Sequence, residues 1–111
     1  MNRASVGCAG AIALLLLVTH ASIASERAAT SEVLIDNFSF RPQTLTVAVG
    51  TRVTWINRDD VPHTVVSTDK KTIVSRALDT DEKFSYTFTV PGTNDYDCSV
   101  HPHMKGKVIV Q

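Results

Sequence analysis

The chain has 111 residues, with 11 Lys plus Arg against 11 Asp plus Glu, four His and two Cys. That length holds one compact domain and argues against a multidomain enzyme. Balanced charge without basic runs speaks against nucleic acid or an anionic membrane surface as a partner.

The run Ala9 to Val18 (AGAIALLLLV) is almost purely apolar and follows Arg3. It is too short to span a bilayer, so the expected element is a secretory signal peptide. Ser22 and Ala24 provide small residues for cleavage after Ala24, which makes 1–24 a removed signal, with cleavage after Ala21 as the close competitor. Cys8 precedes the apolar run and Ser5 stands where a lipoprotein signal wants an aliphatic residue, so no membrane anchor is expected. Residues 25–111 are then expected to be a soluble, exported chain carrying 10 basic residues, 11 acidic ones, three His and the single cysteine Cys98. No disulfide can form within it. Small exported domains commonly lean on disulfides, so some other staple is expected.

In chain order, residues 25–31 (SERAATS) read as a flexible leader to a domain over 32–111. Val, Ile, Thr, Phe, Tyr and Trp make up 35 residues of the exported part against seven Ala plus Leu, a balance that favours pleated strands over helices. Leu45, Val47 and Val49 alternate with Thr44, Thr46 and Ala48, and Phe84, Tyr86, Phe88 and Val90 with Ser85, Thr87 and Thr89. This period of two predicts strands. Breakers such as Arg41-Pro42, Gly50, Asn57 to Asp60 and Pro91-Gly92 divide eight strands, near 32–40, 44–49, 52–57, 64–67, 73–78, 84–90, 95–98 and 106–111. The expected fold is all-β, a two-sheet Greek-key β-sandwich. Its predicted core is Val33, Ile35, Phe40, Leu45, Val47, Val49, Val53, Trp55, Phe84, Tyr86, Phe88, Val108 and Val110.

Scarce residue types gather in Cys98-Ser99-Val100-His101-Pro102-His103-Met104, which holds the exported part's only Cys, its only Met and two of its three His. The third, His63, lies 35 residues before Cys98. A thiolate, two imidazoles and a weak thioether form the donor set of an electron-transfer copper site. Zinc has little use for a thioether, and its structural sites recruit more thiolates or a further His. A c-type haem needs C-x-x-C-H, which is absent. Cys98-x-x-His101-x-x-Met104 sets a ligand at every third position of one loop, and binding would tie it to His63 on a distant strand. One copper ion is thus the expected cofactor and the missing staple.

These residues resemble the cupredoxins, and among them the amicyanin and plastocyanin-like group. The resemblance spans nearly all of 32–111 and rests on Pro62-His63, Tyr96-x-Cys98, Cys98-x-x-His101-Pro102-x-Met104 and the closing Gly106 to Val110. It implies a small periplasmic blue-copper electron carrier rather than an enzyme, a monomer with transient redox partners: a donor dehydrogenase, a c-type cytochrome acceptor, or both. It also implies His63, Cys98 and His101 as equatorial ligands, Met104 as the long axial one, and a docking patch of Val61, Pro62, Val100 and Pro102 rimmed by Lys105 and Lys107. A copper carrier or delivery protein is the alternative reading of the same ligands. Three departures stand out. The family commonly has Asn after the first His, whereas Thr64 stands here, so its hydroxyl or backbone N–H is expected to brace the ligand loop. Val100 replaces a common Pro and keeps an N–H for the Cys98 sulfur. His103, where an aromatic is frequent, is expected to face solvent.

Overall fold

A computed structural model describes residues 30–111. The signal segment 1–24 and residues 25–29 of the leader lie outside the described residues. Eight strands form: β1 (Thr30–Asp36), β2 (Ser39–Arg41), β3 (Thr44–Val47), β4 (Thr51–Asn57), β5 (Val66–Ser67), β6 (Lys83–Phe88), β7 (Gly92–Cys98) and β8 (His101–Val110). They make two four-stranded sheets, ordered β2-β1-β4-β6 and β3-β8-β7-β5. The all-β sandwich is therefore observed. Two parallel pairings, β1 with β4 and β3 with β8, sit among antiparallel ones. Among the described residues no helix is long and apolar enough to cross a membrane.

Alternation decides which side chains meet between the sheets. Val33, Ile35, Val53, Trp55 and Phe88 face inward from one, and Val47, Tyr96, Cys98, Val108 and Val110 from the other. Leu45, Phe84 and Tyr86 are only partly buried against this core. Burial pushes the Tyr96 hydroxyl up to about 12, an effect the Trp55 indole partly offsets. Even so, neither Trp55 Nε1 nor Tyr96 Oη has a well-formed hydrogen bond.

Four expectations need correction. Val49 is half exposed, because β3 ends at Val47 and the chain turns away through Gly50. The span 32–40 divides into two strands at Asn37-Phe38, where both residues take positive φ. Residues 73–78 form only isolated bridges, Val66 with Val74 and His63 with Leu78, because serine side chains replace the ladder. There Val65 N–H donates to Ser75 Oγ at 2.8 Å and Ile73 N–H to Ser67 Oγ at 2.9 Å. Finally, the first strand begins at Thr30 rather than Glu32, with Thr30 and Ser31 pairing with Arg52 and Val53.

Candidate metal centre

Two chain segments build the site. Downstream, Ser99 and Val100 form a two-residue connection between β7 and β8, so Cys98 and His101 face each other as a strand pair. One step along β7, from Asp97 to Cys98, then matches four along β8, from Lys105 to His101. Pro102, His103 and Met104 thus form a bulge, which frees the side chains around it from strict alternation. His101 is partly exposed, Pro102 and His103 are exposed, and Met104 is buried in the core that also contains Cys98.

Upstream, His63 is fully buried and its backbone pairs with Leu78, donating at 3.1 Å and accepting at 2.8 Å. Asn57, also fully buried, shapes the turn that leads to it. Its Nδ2 donates to Val61 O at 2.9 Å and to Leu78 O at 2.8 Å, while its Oδ1 accepts from Asp59 N–H at 2.9 Å.

His63, Cys98 and His101 come together with their donor atoms all within 4.8 Å of one another. Cys98 Sγ lies 3.7 Å from His63 Nδ1 and 3.6 Å from His101 Nδ1. Donors about 2.1 Å from one ion and about 120° apart would stand about 3.6 Å from each other, so both sulfur–nitrogen edges fit a trigonal site around a single ion. Asp59 Oδ2 sits 2.8 Å from His63 Nε2. The carboxylate keeps the proton on Nε2 and leaves the Nδ1 lone pair free for a metal. Burial works to raise the Asp59 carboxyl, but hydrogen bonds from Phe38 N–H, from His63 and from Asn37 N–H outweigh it and hold the group below the usual carboxylate range.

Thr64 braces both halves. Its N–H points at Cys98 Sγ at 3.4 Å and its hydroxyl lies 3.8 Å from the same sulfur. That hydroxyl also accepts from Ser99 N–H at 2.9 Å, so the expected bracing role is met by hydroxyl and N–H together. Val100 does not supply the expected bond: among the described residues the sulfur's hydrogen-bond donors on the backbone are limited to Thr64. Val61, Pro62, Val100 and Pro102 are all exposed, as a docking patch requires. Lys107 lies 3.9 Å from Asp95, which weakens the basic rim.

Three contributors escaped the sequence reading. Asn57 and Asp59 lie in a stretch read only as a polar breaker, where the residue types alone do not mark which side chains face His63. Phe38 packs edge-on against His63 at 5.3 Å and His101 at 5.2 Å between ring centroids.

A sandwich whose distant strands bring one thiol and two imidazoles together, with a buried Met on the same bulge, defines a type 1 copper protein. A family model described as copper binding proteins, plastocyanin/azurin family, matches residues 28–111. The chain belongs to that family. It is 33% identical to amicyanin from Paracoccus denitrificans, over 97% of this chain and 88% of the relative. A single-substitution amicyanin in its oxidised state superposes with TM-score 0.70 at 36% identity, covering 79% of this chain and 89% of its own. A Cu-containing nitrite reductase from Thermus scotoductus is similar at TM-score 0.68 and 33% identity, but only 22% of that longer chain is covered.

Proposed function

We propose that the chain is a small soluble single-electron carrier of the periplasm, with His63, Cys98 and His101 as equatorial ligands of one copper ion and Met104 as its long axial ligand. The convergence of three donor atoms from two distant segments of the chain carries this reading. Copper held by a thiolate and two imidazoles supplies a one-electron couple between Cu(I) and Cu(II). The chain's own task is constancy. Asp59 fixes the His63 ring through Nε2, and Thr64 N–H offsets charge on the sulfur. Both act without metal, so little rearrangement is left to accompany electron transfer.

Partly exposed His101 is the natural exit for the electron, with exposed Val61, Pro62, Val100 and Pro102 beside the ligands in the chain. Such a patch suits brief docking of redox partners, a donor dehydrogenase or a c-type cytochrome acceptor, by a monomer. The apolar run Ala9 to Val18 supports export after removal of 1–24.

The test is repeated redox cycling of the copper-loaded chain. An electron carrier bleaches with ascorbate and recovers its blue thiolate band with an oxidant over many cycles, retaining copper through desalting. A delivery protein instead surrenders Cu(I) to a competing chelator after the first reduction.

A further inference from the structure

Phe38 stands out because nothing in the strand pattern requires it. It occupies the second position of the β1–β2 turn with φ of 55°, beside Asn37 at 51°. Asn tolerates that region, whereas a bulky aromatic there is strained and Gly is the ordinary choice. The residue is 46% exposed and lies outside the buried core cluster, so core packing does not account for it. What holds the strained turn is Asp59, which accepts Asn37 N–H at 2.6 Å and Phe38 N–H at 2.9 Å. The same carboxylate holds His63. Turn and ligand ring are therefore fixed to one group, and the Phe38 ring stands nearly perpendicular to both imidazoles, at 90° and 86°. It also walls a surface pocket of about 150 Å³ shared with Gln43, His103, Met104 and Lys105. That volume exceeds the share of a few waters, and the Lys105 charge favours an anion in it.

We propose that Phe38 is a positioning residue for the copper site: its ring steadies the two imidazoles and bars small anions in this pocket from reaching the metal. Backbone strain in the turn is retained for that contact. The inference rests on the copper reading of the site, which the spectrum of the unsubstituted chain tests separately.

The experiment compares Phe38→Gly and Phe38→Leu with the unsubstituted chain. Sodium azide is titrated into each Cu(II)-loaded protein while the visible and EPR spectra are followed, and the Tm of each metal-free protein is recorded. Gly relieves the strain and removes the ring, so its metal-free Tm should equal or exceed that of the unsubstituted chain. Its copper spectrum should nevertheless respond to azide at a concentration about ten-fold lower. Leu keeps the bulk and should stay near the unsubstituted response. An unchanged azide response in Phe38→Gly overturns the proposal, and so does a lowered metal-free Tm, which would make the ring a support of the fold. Should the unsubstituted chain show no thiolate–copper band, the copper reading fails instead. The ring resonances of His63 and His101 in the metal-free proteins then decide: broadening in Phe38→Gly alone upholds the positioning role, and identical line shapes overturn it.

Discussion

Upstream of the centre, Asn57 to His63 turns its hydrogen bonds inward; downstream, Ser99, Val100, Pro102 and His103 all face solvent. The inward segment is tied to residues 78–82 at several points. Asn57 N–H donates to Glu82 O, Asp81 N–H to Asn57 O, and Thr80 Oγ1 to Asp59 O at 2.6 Å. The hairpin tip is held mainly through one neighbour, Thr64. One half of the site is thus set by the fold whether or not a metal is present, and the other stays accessible. An electron carrier needs both: rigid ligation to keep rearrangement small, and a thin edge through which a partner can approach.

The sharpest way to break this contrast is Asn57→Leu. It keeps the number of side-chain heavy atoms but puts bulkier apolar groups at a fully buried position and strips partners from Val61 O and Asp59 N–H, each orphaned group costing about 1–3 kcal/mol. A loss of about 3 kcal/mol is expected, or on the order of 15 °C in the Tm of the metal-free chain by calorimetry. A change as small as that of a tip substitution would mean the upstream segment is no more fixed than the hairpin.

Next in size is Gly106→Ala, which asks how far the openness of the hairpin extends. A Cβ there would collide with Tyr96 Cζ and Oη, inside the buried base of β7 and β8. Overpacking of that kind costs about 1–3 kcal/mol, and urea melts should report about 2. A neutral result would extend the loose region from the tip into the strands. Tyr96→Phe should move stability the other way by less than about 1 kcal/mol, since it deletes a buried hydroxyl without a well-formed bond.

The same contrast explains what was legible in the sequence. Period-two alternation pointed to β3 and β6 because each turns one face toward the core, and scarcity singled out His63, Cys98, His101 and Met104 because three of them share one short loop. Hidden were the features made by polar groups acting at a distance. Ser67 and Ser75 replace a strand ladder over 73–78 with side-chain bonds, which no alternation rule registers. Asn57 and Asp59 look like any polar turn until burial and the positions of Leu78, Phe38 and His63 are known. The break at Asn37-Phe38 was masked because an aromatic at positive φ runs against local preference, and the contacts that retain it are 22 and 21 residues away at Asp59.

The smallest effect lies at Thr64, where the two halves meet. Thr64→Val keeps the backbone N–H to Cys98 Sγ but removes the acceptor for Ser99 N–H, and because the site is partly exposed, water replaces much of what is lost. Stability should fall by about 0.5–1 kcal/mol, near the limit of a melt. Amide hydrogen exchange reads it better: Ser99 N–H should lose protection in Thr64→Val and keep it in Thr64→Ser, while His63 N–H, bonded to Leu78 O, stays protected in both. Loss of protection at His63 as well would show that the upstream segment depends on the hairpin, and the division between a fixed half and an accessible half would fail. Protection kept at Ser99 in the valine variant would show that the tip is restrained by something other than the threonine hydroxyl.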